Sequence, residues 1–132
     1  MAKIVLITGC SSGIGADLVP LLVDAGYRVV ATALPQSMKT LTKYPFIKDS
    51  RVMALPLDIR EYQSFEPMLE LVRNHWGEVD ILINNAGISY RGVVEDMDLE
   101  DELHQQYVNY LGPMQLIRKV LPSMRAMGRG KI

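Results

Sequence analysis

The segment 4–15 constrains the fold more than any other part of this sequence, because an apolar run passes through a glycine-rich turn into a helix-forming stretch. The run Ile4–Ile7 is rich in β-branched residues, which is typical of a short buried strand. Glycine in the turn permits unusual φ values and lets the backbone approach a ligand with no Cβ between them. A helix that begins there directs unpaired N–H groups and its positive dipole end at the same ligand. The segment therefore predicts a site for a phosphate or pyrophosphate group.

Composition narrows the class of protein. The chain has 132 residues, enough for one domain with a buried core. Its net charge of −1 argues against a general electrostatic role on nucleic acid or at a membrane surface. Cys10 is the single cysteine, so no internal disulfide can form, and no apolar stretch has the length of a signal peptide or a membrane span. We therefore expect a cytoplasmic protein with no nucleic-acid or membrane partner.

Strand and helix patterns alternate along the chain. Short β-branched or apolar runs at 4–7, 29–32, 52–57 and 79–83 predict four strands, and residues 131–132 begin what resembles a fifth. Helical spacing occurs at 16–25, 61–76 and 99–127, whereas 34–50 gives a weak signal with room for a turn or two of helix. Strand–helix–strand units require parallel strands. We predict an α/β fold: a Rossmann-type doubly wound parallel sheet in three α/β/α layers, with strand order 3-2-1-4, truncated at the fifth strand.

The helix predicted over 99–127 has two patterns. One is an apolar face at three- and four-residue spacing: Leu103, Tyr107, Leu111, Met114, Ile117, Leu121 and Met124. The other is charge, because six acidic residues lie between Glu95 and Glu102 and only basic ones follow Leu103. This polarity matches the helix dipole, and a basic docking patch for a polyanion is the alternative.

Further motifs stand in register with Thr8-Gly9-Cys10-Ser11-Ser12-Gly13-Ile14-Gly15: Asp58, Asn84-Asn85-Ala86-Gly87 and Asn109-Tyr110-Leu111-Gly112. In order and spacing they resemble the classical branch of the short-chain dehydrogenase/reductase family over nearly all 132 residues. The Cys10-Ser11-Ser12 sequence within the glycine turn is similar to that of members that act on steroids, retinoids or other lipophilic alcohols. The resemblance implies a single NAD(P)-binding Rossmann-like domain over 1–132, forming the N-terminal half of a longer oxidoreductase that transfers hydride between an alcohol or carbonyl substrate and a nicotinamide cofactor.

The resemblance also implies roles for individual residues. In the family, the glycine turn holds the cofactor pyrophosphate, the aspartate matching Asp58 bonds the adenine amine, and the stretch matching Asn85-Ala86-Gly87 lines the ribose. The implied cofactor-binding set is Gly9, Ser11, Ser12, Gly13, Ile14, Gly15, Ala33, Asp58, Ile59, Asn85, Ala86 and Gly87. Structural alternatives remain for each motif: a glycine turn that only packs the helix, a turn or N-cap role for Asp58, and a strand-end cap for Asn85.

Cofactor choice depends on the residue about 20 positions after the glycine turn, where an acid would bond the ribose 2′-hydroxyl and repel a 2′-phosphate. That position is Ala33, followed by Leu34, and neither is acidic. Ser11, Ser12 and Lys39 have groups that could donate to a 2′-phosphate. The sequence therefore favours NADP(H) over NAD(H), although the arginine that many NADP-dependent members carry at Leu34 is missing.

Asn109 matches the asparagine of the family's catalytic tetrad, whose backbone carbonyl is thought to hold a water in the proton relay. Pro113 lies four residues later and has no N–H, so the helical bond to the Asn109 carbonyl cannot form. We predict a break in the helix here, beside Gly112. The alternative is a polar helix residue with an incidental proline.

The family's remaining catalytic groups, a serine after the fifth strand and a Tyr-x-x-x-Lys pair, have no counterpart in matching positions. Tyr44 and Lys48 have that spacing, but they precede Asn85 and enclose Pro45, which disfavours a shared helix face. Ser89 and Ser123 are also misplaced. His75 and His104 are predicted as helix-surface residues, so no metal site is expected. The 132 residues alone are therefore expected to be inactive.

Two rival functions fit parts of the pattern. One is a non-enzymatic NADP-binding redox sensor or interaction module; the other is a methyltransferase, which usually needs an acid where Ala33 stands.

The resemblance further implies a homo-oligomer that pairs through the helix 99–127.

Overall fold

The computed structural model describes all 132 residues and contains one parallel sheet of four strands. These are β1 (Ile4–Ile7), β2 (Arg28–Ala33), β3 (Val52–Pro56) and β4 (Ile81–Ile83), in the spatial order β3-β2-β1-β4. Every pair is parallel. Lys131 forms an isolated parallel bridge with Ile81, where the sequence predicts the start of a fifth strand. The predicted Rossmann-type sheet and its strand order are confirmed.

Helices cover both faces of the sheet: α1 (Gly13–Asp24), α2 (Met38–Leu41), α3 (Phe65–His75), α4 (Leu99–Gln106) and α5 (Gly112–Ala126). Successive side chains of a strand point to opposite faces, and β1 is buried on both. Leu6 belongs to the larger apolar cluster with residues of α3 and α5, whereas Ile7 belongs to a second cluster with residues of α1. The layering is therefore α/β/α. None of the helices combines the length and hydrophobicity that a membrane crossing requires.

The segment between β2 and β3 is built from short helical turns. Two 3-10 helices, Pro35–Ser37 and Pro45–Lys48, flank α2, and each has its proline in the first turn. Proline suits that position because its missing N–H would have no partner there. Leu41 is fully buried, which anchors the segment beside the end of β2.

The long C-terminal helix is interrupted where the sequence predicts a break. Residues Tyr107–Leu111 form a π-helical turn, and the Gly112 N–H bonds the Tyr107 carbonyl five residues back. Pro113 cannot supply the α-helical bond to Asn109, so the wider turn replaces it. The predicted break is confirmed.

The predicted apolar face of this helix is wrong over its first half. Leu103 and Leu111 are 59% and 42% exposed. Of the predicted residues only Met124 is buried, and the others buried on this helix are Val108, Gly112, Leu116 and Val120. A π turn inserts an extra residue into the helix and rotates the side chains that follow it relative to those before, so one continuous 3.6-residue pattern cannot describe both halves.

Asp80 ties together the amino ends of two strands. One carboxylate oxygen accepts the Ile4 N–H at 2.9 Å, and the other accepts Nε of Arg129 at 2.8 Å. Backbone bonds join Asp80 to Ile4 and to Lys131 as well. Asp80 is only 6% exposed, so its bond to Ile4 lies in the interior, at the opposite end of the strands from the glycine turn, whereas the Arg129 side chain is largely exposed.

Candidate functional site

A cleft of about 600 Å³ lies at the carboxyl edge of the sheet, a volume within the range of small-molecule sites. Five separate parts of the chain line it: the glycine turn, the residues after β2, those after β3, those after β4, and α4 with the π turn. The lining residues are Thr8, Gly9, Ser11, Ser12, Ile14, Leu34, Gln36, Leu57, Asp58, Ile59, Arg60, Asn85, Ala86, Gly87, Ile88, His104 and Val108.

The structure brings nine of the twelve predicted cofactor residues to this cleft. Gly13, Gly15, Ala33 and the predicted catalytic Asn109 are not part of the lining. Gly15 packs behind the turn, and Ala33 is 2% exposed with its carbonyl accepting the Leu57 N–H at 2.7 Å. These two residues therefore support the wall of the cleft from beneath.

The glycine turn fits tightly against the segment after β4. Gly9 has a φ of +75°, and a Cβ there would lie 2.9 Å from Cα of Ala86. A Cβ on Gly15 would overlap the Gly9 carbonyl oxygen and lie 2.7 Å from Nδ2 of Asn85. Both positions accept only glycine while the turn keeps its place.

Four hydrogen bonds join the turn to Asn85 and Ala86. The Asn85 amide donates to the carbonyls of Thr8 and Gly9 at 3.0 and 3.1 Å. The Thr8 hydroxyl oxygen accepts the backbone N–H groups of Asn85 at 3.1 Å and of Ala86 at 2.9 Å. The Asn85 side chain thus caps a strand end, as the structural alternative predicts, and this holds Ala86 and Gly87 at the cleft.

The beginning of α1 is open toward the cleft. Ser12 precedes the helix without a side-chain cap bond, and Ile14 is 76% exposed. No atom lies within 4 Å of the position that a Cβ on Gly13 would take. Free N–H groups, the positive end of the helix dipole and open space together fit a bound diphosphate.

Asp58 forms an ion pair with Arg60 at the cleft. One carboxylate oxygen accepts the Arg60 backbone N–H and Nε, both at 3.0 Å, and the other accepts Nη2 at 2.6 Å. The hydrogen bond from the Arg60 side chain is the largest cause that lowers the pKa of Asp58 below its usual value. Asp58 therefore remains ionised at neutral pH, with its carboxylate bonded to Arg60 two residues later in the same turn. A bond from Asp58 to the adenine amine stays a prediction.

Arg60 also approaches His104, which the sequence assigns to the helix surface. Arg60 Nη1 lies 3.4 Å from His104 Nε2, and the Tyr90 hydroxyl lies 2.9 Å from Nδ1 of the same ring. The Gln105 side chain accepts the Tyr90 N–H at 2.6 Å. His104 is partly exposed, in agreement with the predicted helix-surface position, and it also lines the cleft. The sequence carries a signal for the place of His104 at the cleft: it lies four residues before Val108, a spacing that puts both side chains on the same face of a helix.

The Asn109 side chain fastens the segment after β4 to the helix. Its Oδ1 accepts the Ile88 N–H at 2.9 Å, and its Nδ2 donates to the Ile88 carbonyl at 2.7 Å. The Asn109 backbone carbonyl lies inside the π turn, where Pro113 cannot bond it. This geometry agrees with a free carbonyl at Asn109, while its catalytic role stays a prediction.

The end of the cleft near β2 has no acidic residue. Leu34 and Gln36 line it there, together with Ser11 from the turn. Lys39 lies on α2 and is not among the lining residues. Gln36 was missed from the sequence because its place depends on the 3-10 turn Pro35–Ser37.

Cys10 supports the turn from the interior. Its backbone N–H donates to the Thr32 carbonyl at 2.8 Å, and its thiol contacts the Ile7 carbonyl at 3.4 Å. Burial raises the pKa of the Cys10 thiol to about 12. The thiol is therefore protonated at neutral pH and is no nucleophile.

A parallel sheet whose first strand passes through a glycine turn into a helix, with a cleft over the strand carboxyl ends, defines a nucleotide-binding domain of the Rossmann type. The family model described as short chain dehydrogenase matches residues 3–132. The chain therefore belongs to the short-chain dehydrogenase/reductase family of oxidoreductases.

Named relatives agree with this assignment. A dehydrogenase/reductase SDR family protein 7-like of Drosophila melanogaster is 38% identical over 98% of this chain and 41% of its own length. The human dehydrogenase/reductase SDR family member 7 is 34% identical over 98% of this chain and 40% of its own length. A short-chain dehydrogenase structure from Streptomyces avermitilis superposes with a TM-score of 0.89 at 32% identity, over 98% of this chain and 47% of that one. The chain thus spans less than half the length of these relatives.

Proposed function

We propose that this chain supplies the cofactor-binding half of an oxidoreductase that transfers hydride between an alcohol or carbonyl substrate and a nicotinamide dinucleotide, NADP(H) in preference to NAD(H). The observation that supports this most is the cleft, because the glycine turn, the β3 end at Asp58 and the Asn85–Gly87 segment converge there from distant parts of the sequence. The bound nicotinamide would supply the hydride acceptor or donor.

Different residues of the cleft bind different parts of the cofactor. The N–H groups at the start of α1 and the hydroxyls of Ser11 and Ser12 hold the diphosphate. Ala86 and Gly87 present backbone to a ribose with no bulky side chain in the way. Ile59 and Val108 provide the apolar walls for a base, beside the Asp58–Arg60 pair.

The preference for NADP(H) rests on charge at the β2 end of the cleft. An acid at that position would repel a 2′-phosphate, and Ala33, Leu34 and Gln36 carry no charge. The Ser11 hydroxyl and the Gln36 amide are neutral donors for phosphate oxygens.

Titration of the full-length protein with NADP⁺ and NAD⁺ by calorimetry tests the cofactor assignment. We expect a Kd for NADP⁺ about tenfold or more below that for NAD⁺, equivalent to about 1.4 kcal/mol. Equal affinities would contradict the preference, and binding of neither would contradict the function. NADPH absorbance with a panel of ketones and alcohols then reports turnover. Tight NADPH binding with no turnover would instead support the sensor.

The 132-residue chain alone is expected to bind cofactor without turnover. The serine and the Tyr-x-x-x-Lys pair that would exchange the substrate proton have no matching residues in it. The same absorbance assay on this chain checks that expectation.

We further propose that the protein pairs with a second copy through α4, the π turn and α5. Leu99, Leu103 and Tyr110 are 68%, 59% and 57% exposed on these helices. Leu99 and Leu103 are four residues apart and so share one face of α4, and neighbouring exposed apolar side chains of this kind suit an interaction site. Light scattering of full-length Leu103→Glu should show a smaller species than the unaltered protein, whereas Lys3→Glu, outside these helices, should not. A monomeric unaltered protein would contradict the proposal.

A further inference from the structure

Tyr44 contacts the glycine turn from a segment to which the proposed function gives no role. Its hydroxyl donates a hydrogen bond to the backbone carbonyl of Ser11 at 3.2 Å, across 33 residues of sequence. The Tyr-x-x-x-Lys spacing with Lys48 therefore has a different meaning from a catalytic pair, because the hydroxyl is bonded to the turn.

The ring of Tyr44 is held independently of its hydroxyl. It stacks on Phe46 with the centroids 5.0 Å apart and the planes 9° from parallel. It also packs against the apolar cluster that contains Cys10 and the fully buried Leu41. Phenylalanine would make the same ring contacts, so the hydroxyl matters only for the bond to Ser11.

Ser11 lies between two anchored parts of the turn. On one side, the Cys10 N–H donates to the Thr32 carbonyl at 2.8 Å. On the other, α1 begins at Gly13. The Tyr44 bond is the one made to the Ser11 carbonyl. Tyr44 thus holds a peptide group of the turn that neither β2 nor α1 bonds.

Ser11 lines the same end of the cleft as Leu34 and Gln36. Under the proposed function, this end faces the ribose 2′ position, where NADP(H) carries a phosphate and NAD(H) carries a hydroxyl. A shift of the Ser11 backbone therefore affects the two cofactors unequally.

We propose that Tyr44 is a positioning residue for cofactor selection: its hydroxyl holds Ser11 where the Ser11 side chain meets a 2′-phosphate. This inference rests on the proposed function, since it presumes a nicotinamide dinucleotide in the cleft. Tyr44 acts through Ser11 and touches no reacting atom.

The test compares Tyr44→Phe with the unaltered full-length protein by calorimetry with NADP⁺ and NAD⁺. Loss of one neutral hydrogen bond predicts an NADP⁺ affinity about three- to tenfold lower. The NAD⁺ affinity should change less than about twofold, since no phosphate is present at that end. The ratio of the two constants is the readout, because a general loss of stability would change both.

A matched variant and a double variant complete the test. Tyr62→Phe removes a hydroxyl from a 46% exposed tyrosine outside the cleft and should leave the ratio unchanged. In a Ser11→Ala background, Tyr44→Phe should have almost no further effect on the ratio, because the coupled pair is already broken.

Each outcome decides a different point. An unchanged ratio for Tyr44→Phe, or the same change in the Ser11→Ala background, overturns the role of Tyr44 while the cofactor assignment stands. Failure of the unaltered protein to bind either cofactor overturns both.

Discussion

Replacing Gly15 with alanine is expected to weaken NADP⁺ binding by the full-length protein about a hundredfold. The added Cβ would overlap the Gly9 carbonyl oxygen and approach Nδ2 of Asn85 to 2.7 Å. Neither neighbour is the free end of a flexible side chain. To make room, the turn must move away from α1, or Asn85 must release the carbonyls of Thr8 and Gly9.

The magnitude follows from two terms. Over-packing of a close contact costs about 1–3 kcal/mol, and each released hydrogen bond costs about 1 kcal/mol. Together they amount to about 3 kcal/mol, which corresponds to roughly a hundredfold in Kd. The cost falls on binding because the cofactor has to restore the turn before the N–H groups of α1 point at its diphosphate.

Calorimetric titration with NADP⁺ measures the effect, and far-UV circular dichroism establishes that the variant is folded. Gly92→Ala is the matched control. A Cβ at Gly92 would meet only the flexible Met97 side chain, with Sδ 3.0 Å away, and Gly92 is outside the cleft. Unaltered affinity in folded Gly15→Ala would show that the close fit of the turn is unnecessary for binding.

The parts of the fold that local sequence determines were predictable. Ile4–Ile7 is apolar at every position because β1 lies between two layers of helices, and the strand has the predicted bounds. The break near Asn109 follows from the missing N–H of Pro113 alone. In each case one chemical property of one residue, or of a few adjacent residues, is sufficient to predict the local structure.

The features of the fold and the site that could not be predicted depend on contacts between distant segments. The contacts of Arg60, His104 and Tyr90 arise only when the segments after β3 and β4 meet the last turn of α4, so no periodic pattern contains them. The π turn also changes which residues the long helix buries: Val108 and Leu116 rather than Leu103 and Leu111. A pattern fitted with a single period cannot include that change of phase.

Asp80→Ala is expected to lower the free energy of unfolding by about 2–4 kcal/mol. The substitution removes the acceptor of the Ile4 N–H, which lies at the buried start of the central strand β1. It also releases Arg129, and with it one of the contacts that hold the chain after α5 beside β4. A hydrogen bond to a charged acceptor contributes about 1.5–3 kcal/mol, and a buried donor left unpaired adds a desolvation cost.

Urea unfolding of the 132-residue chain, followed by the fluorescence of Trp76, its single tryptophan, measures this change. Asp96→Ala, which removes an exposed aspartate with no side-chain bond, should change stability by less than about 0.5 kcal/mol. Asp80→Asn separates the two contributions of the carboxylate. The amide oxygen still accepts the Ile4 N–H, so this variant should lose less than Asp80→Ala, and the loss should be small because the Arg129 side chain is 59% exposed and its ion pair is screened. Equal losses of unfolding free energy in the two variants would instead assign the stabilisation to the ion pair, and would contradict the assignment of most of it to the Ile4 hydrogen bond.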